Sequence, residues 1–299
     1  MALYGGIEAG GTKFVCIVGS SPQEILAETR FPTTSPNETL QKASDFFKKQ
    51  VSQFSTPLSS IGIGAFGPID LDKKSSTYGY ITTTPKPNWA NTSVVKYFEN
   101  EMQAPIGFDT DVNAAALGEW TWGAARGIND FIYLTIGTGI GGGAIVNGQP
   151  LHGLVHPEMG HMLLHRDPKL DPFSGYCPFH GECFEGLASG PSIKARWGQP
   201  AETLPAEHPA WDLEAEYIAQ ALEAYICILS PQKIILGGGV MEQTQLFPLI
   251  RQKVISKLNG YVKSPAILDK IGEYITSPGL GGRAGVLGAL ALAKLVASK

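Results

Sequence analysis

The nine residues GYCPFHGEC, from Gly175 to Cys183, hold two cysteines and a histidine in a span too short for a helix and a strand. Cys177, His180 and Cys183 form the pattern C-x-x-H-x-x-C. Zinc accepts this mixture of sulfur and nitrogen in tetrahedral geometry, which requires a fourth ligand. A site with four protein ligands is structural, because a catalytic zinc keeps a position open for water or substrate. Upstream, the candidates for the fourth ligand are His161 and His165 and, farther away, His152 and His156.

A second candidate for chemistry is the carboxylate of Asp111, which follows the strand-like stretch PIGFDT and precedes the helix-like stretch NAAALGE. Proteins of the α/β class bind ligands at the carboxyl ends of their strands. A carboxylate there can accept the proton of a hydroxyl that attacks a phosphoryl group. Capping the helix is the alternative role for Asp111, and Asn113 is a further candidate for that cap. The spacing alone supports both roles of Asp111 equally.

Three glycine clusters could bind phosphate, because a turn without Cβ atoms lets backbone N–H groups converge on an anion. GGTK at 10–13 adds a hydroxyl and a cation, and LGGGV at 236–240 ends a strand where a base or ribose could lie. GTGIGG at 137–142 has the letters of a dinucleotide fingerprint but runs on into a strand, and no P-loop pattern occurs. We therefore expect nucleotide binding without a Rossmann fold, at Gly10, Gly11, Thr12, Lys13, Gly137, Thr138, Gly139, Gly237, Gly238 and Gly239.

These residues lie on stretches that alternate between strand and helix. LYGGIEAGGTKFVCIVGS and FIYLTIGTGIGGGAIVNGQ each predict a hairpin whose tip is a glycine cluster. Helices and strands alternate after each hairpin, which predicts an α/β protein with sheets covered by helices. Two similar halves indicate a duplication with a cleft between them. Residues 152–186 interrupt the alternation, and an irregular segment of that length is typical of a functional loop.

The composition is that of an ordinary globular protein of 299 residues, 43% hydrophobic and 17% charged, with a net charge of -4. This length allows two domains, and the absence of a basic excess argues against nucleic-acid binding. No apolar run approaches the roughly 20 residues that span a bilayer, and the N-terminal stretch lacks the features of a secretory signal. We therefore expect a cytoplasmic protein with no membrane partner, in which close Cys and His residues bind metal. Cys16 and Cys227 lie in apolar stretches and are expected to be buried.

The order of the motifs resembles that of the ROK family of sugar kinases. The motifs are EAGGTK, FGPID, DVNAAALGE, GTGIGGG, HPEMGH, the Cys/His segment running into CFEGLASG, and LGGGV. The resemblance covers essentially the whole chain and implies the actin-like, hexokinase-type ATPase fold, with two duplicated α/β domains around a cleft. EAGGTKF is most similar to the bacterial fructokinase branch, because glucokinase members usually read D-x-G-G-T-K.

The resemblance implies roles for single residues. Asp111 corresponds to the catalytic base of a motif similar to N-D-x-N. Thr110 stands where relatives commonly have an asparagine that contacts the sugar, which leaves the hydroxyl preference open. Glu8 would hold Mg²⁺ through water, with a side chain one methylene longer than the usual aspartate. The residues that match sugar contacts of relatives are Glu158, His161 and Glu185.

The resemblance also implies a structural zinc site. Relatives carry the histidine of E-x-G-H and three cysteines, so His161 would complete the site with Cys177, His180 and Cys183, and His180 would replace one cysteine. His165 stays an alternative, because the spacer before Cys177 is longer than in many relatives. Such a zinc would hold the sugar-binding carboxylates in place. The competing interpretation is a set of surface residues that bind no metal.

The resemblance implies an ATP-dependent kinase that uses Mg²⁺ and contains a structural Zn²⁺. Its expected reaction is the phosphorylation of D-fructose to fructose 6-phosphate, and its expected assembly is a homodimer. Glucose, mannose and N-acyl hexosamines are alternatives, because a pocket distinguishes sugars by a few hydrogen bonds. The family's repressors carry an added N-terminal helix-turn-helix, for which no room is expected here, and the intact glycine turns disfavour a non-catalytic sugar sensor. The expected domains are 1–112 with 282–299, the smaller, and 113–281, the larger, with the zinc loop 152–186 inserted.

Overall fold

A computed structural model describes residues 2–298, which form strands and helices in alternation. The strands are β1 Leu3–Ala9, β2 Lys13–Gly19, β3 Ile25–Pro32, β4 Leu58–Ala65, β5 Tyr80–Ile81, β6 Thr92–Ser93, β7 Ile106–Thr110, β8 Phe131–Ile136, β9 Ile140–Val146, β10 Gln149–Pro150, β11 Lys233–Gly237 and β12 Ile275–Thr276. The helices are α1 Pro36–Phe54, α2 Val94–Met102, α3 Asp111–Trp122, α4 Phe184–Ala188, α5 Gly190–Trp197, α6 Ala210–Leu229, α7 Leu246–Leu258, α8 Pro265–Leu268, α9 Ile271–Tyr274 and α10 Ala284–Ala297. Across residues 2–298, none of these helices combines the length and apolar character needed to cross a membrane.

The described chain divides into two structural units. Unit 1 comprises residues 2–127, 150–157 and 279–298, and unit 2 comprises residues 128–149 and 158–278. The division expected from the sequence differs, because it began the second domain at residue 113. The helix α3 belongs to unit 1 because it packs closely on α10: a Cβ at Gly288 would lie 1.7 Å from the carbonyl oxygen of Ala114.

Unit 1 is built on a five-stranded sheet in the order β3-β2-β1-β4-β7. The pairs β1/β2 and β2/β3 are antiparallel, and β1/β4 and β4/β7 are parallel. Successive side chains of a strand point to opposite faces, so in β2 Phe14 packs in one apolar cluster with side chains of α1 and α2, and Ile17 packs in another with Leu290 of α10. Helices therefore cover both faces of this sheet, as predicted.

Unit 2 repeats this arrangement in a sheet of order β10-β9-β8-β11-β12. Its hairpin β8/β9 is antiparallel, and β8/β11 and β11/β12 are parallel. The apolar faces of α6 supply buried side chains such as Trp211 and Leu222. In each unit a glycine-tipped hairpin is followed by two parallel strands, which is the repeated pattern that the sequence predicted.

The segment between β10 and α4 has little regular structure, as expected. It contains one 3-10 turn, Met159–His161, and the isolated bridges Leu163–Cys183 and Cys177–Gly181. Cys16 is fully buried, but the expectation for Cys227 is wrong, because its side chain is exposed. The apolar run at the end of α6 is wider than the buried face of that helix, so Ile226 is buried and Cys227 faces outward.

Candidate functional site

Asp111 is the first residue of α3, directly after β7. The hydroxyl of Thr110 caps the helix by accepting the N–H of Asn113 at 3.0 Å. The caps considered from the sequence, Asp111 and Asn113, are therefore wrong, because the residue before Asp111 takes that role. Asp111 Oδ1 accepts the N–H of Val112 at 2.9 Å. Its carboxylate thus lies in the first helical turn, where the helix dipole favours negative charge.

A polar cluster that no motif indicated lies next to this turn. Nε2 of His152 is 3.0 Å and 3.1 Å from the two carboxylate oxygens of Asp109. Nδ2 of Asn113 donates to Asp109 Oδ1 at 2.8 Å. The bond to Asp109 raises the pKa of His152, and burial of the ring opposes that rise. His152, a remote zinc candidate in the sequence, is therefore the partner of Asp109, and their separation of 43 positions left no local signal.

The tip of the first hairpin brings a carboxylate and a cation together. Glu8, near the end of β1, is partly buried, and burial raises the pKa of its carboxyl. The positive charges of Lys13 and Arg30 and the backbone N–H of Val286, in the first turn of α10, oppose this rise of the pKa. The turn itself closes with the N–H of Gly10 donating to the carbonyl oxygen of Lys13 at 3.0 Å. Glu8 and Lys13 are the two charged side chains expected from the sequence to bind Mg²⁺ and polyphosphate.

A cavity of about 990 Å³ opens beside the tip of the second hairpin, within unit 2. Gly137 and Thr138 of the tip line it, together with Gly239, Lys194 of α5 and Tyr176. Pockets of roughly 300–1,000 Å³ are the usual size for small-molecule and cofactor sites. The lining includes three of the residues predicted to bind nucleotide, and those predicted there but absent from the lining are Gly139, Gly237 and Gly238.

The backbone around this cavity requires glycine at specific points. The N–H of Gly190, the first residue of α5, donates to the carbonyl oxygen of Gly137 at 2.7 Å. Gly238 has a φ of +92°, and a Cβ there would lie 2.4 Å from the carbonyl oxygen of Ile136. Gly238 therefore packs its backbone tightly against the end of β8, and its neighbour Gly239 lines the cavity.

His161, Cys177, His180 and Cys183 form one cluster in which all ligand atoms lie within 4.8 Å of one another. Nδ1 of His161 is 3.8 Å from Sγ of Cys177 and 3.6 Å from Sγ of Cys183. Ligands at ordinary zinc bond lengths are about 3.5 Å apart in a tetrahedron, so the donor set and its spacing fit zinc. Burial raises the pKa of the Cys183 thiol to about 11, and a bound divalent cation favours the thiolate that such a ligand must become.

The other histidines considered as ligands have different partners. The backbone N–H and C=O of His165 both bond to the side chain of Gln220. Nε2 of His156 accepts the N–H of Ile69 at 3.2 Å within unit 1. Of the candidates for the fourth ligand, His161 is the one that the structure places with the two cysteines.

The two predicted sugar-binding glutamates lie on either side of this cluster along the chain. Glu185 is in the first turn of α4, two residues after Cys183, and its Oε2 accepts the N–H of Ile140 at 2.9 Å. Glu158 is exposed, and its carbonyl oxygen accepts the N–H of His161 at 3.0 Å. The contact of Glu185 with the second hairpin is an addition that the motifs did not indicate.

The ROK family model matches residues 4–296, so this chain belongs to the ROK family. Among its relatives, the fructokinase of Zymomonas mobilis is 46% identical over 299 residues, which cover 99% of this chain and 98% of that protein. The fructokinase of Streptococcus mutans is also 46% identical, over 300 residues that cover 99% of each chain. The predicted family is confirmed.

A solved structure of the family shows the same fold. The ROK glucokinase of Streptomyces griseus, in complex with glucose and AMPPNP, matches with a TM-score of 0.74 at 25% identity and covers 98% of this chain and all of its own. The α/β class and the actin-like, hexokinase-type fold expected from the sequence are therefore confirmed.

Proposed function

We propose that this chain is a fructokinase, which transfers the γ-phosphoryl group of ATP to the 6-hydroxyl of D-fructose. The observation that carries the proposal is the 46% identity to two fructokinases along 99% of the chain, a likeness that extends over both units. The glycine-lined cavity of unit 2 supports a nucleotide site. The carboxylate at the start of α3 supports a base for the sugar hydroxyl.

In the proposed reaction the 6-hydroxyl oxygen attacks the γ-phosphorus, the bond from that phosphorus to the β,γ-bridging oxygen breaks, and ADP leaves. Asp111 accepts the proton of the hydroxyl. Thr110 holds the helical turn that carries this carboxylate. Lys13 is the cation of the GGTK tip and offsets negative charge on the phosphates.

Two metals belong to this proposal. Glu8 is the carboxylate that would hold Mg²⁺ through water, and the ion would supply positive charge at the phosphoryl oxygens of the nucleotide. The Cys/His cluster would hold a structural zinc, because four protein ligands leave no open position. Nδ1 of His161 faces the thiols, so Nε2 is the atom left for a sugar hydroxyl. The residues proposed to contact the sugar are Thr110, Glu158, His161 and Glu185.

A coupled assay of ADP release tests the proposed function. Fructose, glucose, mannose and N-acetylglucosamine are compared as substrates with ATP and Mg²⁺, and we expect kcat/KM to be highest for fructose. 6-Deoxyfructose is the matched control, because it lacks the hydroxyl that is phosphorylated and must give no turnover. No turnover with fructose, or a higher kcat/KM for another hexose, would overturn the choice of substrate.

The homodimer and the cytoplasmic location expected from the sequence stay predictions within this proposal. Light scattering during size-exclusion chromatography measures the first, with a mass of twice 31.9 kDa as the expected result. A mass of a single chain at micromolar concentration would contradict it.

A further inference from the structure

Tyr176 is the one aromatic residue among those that line the cavity of unit 2. Its side chain is 58% exposed, so the ring is not part of the apolar core. Aromatic rings bury large areas when a flat ligand covers them, and they are common in the walls of ligand pockets. The other lining residues offer glycine backbone, short apolar side chains, the hydroxyl of Thr138 and three charged groups, which are Lys194, Glu202 and Glu242.

The backbone at Tyr176 is held by the same loop that holds the Cys/His cluster. Tyr176 immediately precedes Cys177, and its N–H donates to the carbonyl oxygen of Gly186 at 2.8 Å, three residues after Cys183. Between these two points the N–H of Gly181 donates to the carbonyl oxygen of Cys177 at 3.0 Å. The position of the ring therefore depends on the two cysteines of the cluster being held in place.

Close packing of glycines fixes this loop further. Gly175 has a φ of +87°, and a Cβ there would lie 2.0 Å from the carbonyl oxygen of Gly181. A Cβ at Gly186 would lie 1.8 Å from the same oxygen. The chain on both sides of Tyr176 thus has little freedom while the loop keeps this form. Loss of the metal that would be bound by both Cys177 and Cys183 would release this part of the chain.

We propose that Tyr176 is the wall of the cavity on which the nucleotide base stacks, and that the Cys/His cluster positions this ring, so that metal binding and nucleotide binding are coupled. The inference rests on the proposed nucleotide site and adds a residue and a linkage to it. The metal would then position a residue of the nucleotide site, Tyr176, as well as the glutamates beside the cluster that are proposed to bind the sugar.

Calorimetric titration with ADP tests the first half of the proposal. Tyr176→Ala is expected to raise the dissociation constant of ADP by roughly tenfold, the usual effect of losing one aromatic ring under a base. Tyr176→Phe keeps the ring and is expected to bind ADP as the wild type does. Inorganic tripolyphosphate has no base, so its affinity is expected to be equal for wild type and Tyr176→Ala.

Phe179→Ala is the matched control, because Phe179 lies in the same loop, is 72% exposed and is not part of the cavity lining. Its ADP affinity is expected to equal that of the wild type. Metal content is measured by plasma mass spectrometry for every variant. Tyr176→Ala with full metal content and unchanged ADP affinity would overturn the stacking role.

Metal removal tests the linkage. Chelation of wild-type protein, or Cys183→Ser, is expected to raise the dissociation constant of ADP by about the same factor as Tyr176→Ala. Chelation of Tyr176→Ala is expected to cause no further loss, because two changes that act through one contact are not additive. Equal ADP affinity of metal-loaded and metal-free wild type, or additive losses, would overturn the coupling. Failure of metal-loaded wild type to bind ADP would instead overturn the nucleotide site itself.

Discussion

The two glycine hairpins occupy the same place in their sheets but differ in the groups they present. At the tip of β1/β2, Glu8 lies near the end of β1 and Lys13 is the first residue of β2, so a carboxylate and a cation flank the glycine turn. The tip of β8/β9 carries no charged residue and is held by backbone bonds, such as that from Gly190 to Gly137. The same hairpin therefore presents charged side chains in unit 1, whereas in unit 2 its tip allows a neighbouring backbone segment to approach closely.

The last strands of the two sheets differ in the same way. β7 ends at Thr110, and Asp111 follows at the start of α3. β12 ends at Thr276 and is followed by Ser277 and Pro278, with no carboxylate at the equivalent point. Duplication repeats the elements, and substitution at strand ends separates their roles. In our proposal unit 1 supplies the catalytic base, Lys13 and the Mg²⁺ carboxylate of Glu8, and unit 2 supplies the glycine-lined nucleotide cavity and the structural zinc site.

The largest expected effect comes from removing the carboxylate of Asp111, which follows the last strand of the sheet in unit 1 and has no counterpart after β12 in unit 2. Asp111→Asn should lower kcat by about 10²- to 10⁴-fold, the range of general-base contributions, because the amide cannot accept the hydroxyl proton. Fructose affinity should change little, since the amide keeps the size of the side chain. Steady-state kinetics and calorimetric titration with fructose measure the two effects.

Asp45→Asn is the control for this prediction, because Asp45 is exposed on α1 and bonds to Gln41 of the same helix. Its kcat should equal that of the wild type. Activity of Asp111→Asn within tenfold of the wild type would contradict the assignment of the base.

The second prediction concerns the dependence of unit 2 on glycine backbone. Gly238→Ala should lower the free energy of unfolding by about 2–4 kcal/mol, because a Cβ at positive φ is strained and this one would overlap the backbone of Ile136. Gly239→Ala is the control, since a Cβ there meets no atom within 4 Å. Urea unfolding measures both. Equal stability of the two variants would show that the strain at Gly238 is relieved by movement.

Gly11→Ala extends this test to the first hairpin. A Cβ at Gly11 would lie 3.9 Å or more from its nearest neighbours, which are ring atoms of Phe66. We therefore expect its unfolding free energy to change by less than about 0.5 kcal/mol, as for other sites without close neighbours. A large loss there would remove the contrast between the first hairpin tip and the glycine backbone that follows β11 in unit 2.

Local patterns predicted most of the fold because each element carries its own signal. The hairpins followed from β-rich runs around glycine, and α10 from an apolar run that starts after GLGGR. The place of α3 in unit 1 was missed, because it depends on close packing of Gly118 and Gly288 between two helices that are far apart in the chain. Contacts of that kind have no signature in either stretch alone.

The candidate site shows the same limit. The Cys/His cluster could be predicted from spacing and resemblance, since three of its four members lie within seven residues. The pairing of His152 with Asp109 could not, because it joins a loop to a strand in a way that only the folded chain defines. The contact between Glu185 and Ile140 was missed for the same reason.

The last prediction is a small pH dependence of stability that arises in unit 1 from this unpredicted pair. Asp109 raises the pKa of folded His152, so the pair stabilises the fold fully below the unfolded pKa, near 6.5, and the gain is lost as pH rises through the folded pKa. The side chain of His152 is 42% exposed, so the gain should stay below about 1 kcal/mol. His152→Asn should therefore be less stable than the wild type at pH 5.5 and nearly equal to it at pH 9. A constant difference between wild type and His152→Asn across this range would show that the two side chains are not charged partners.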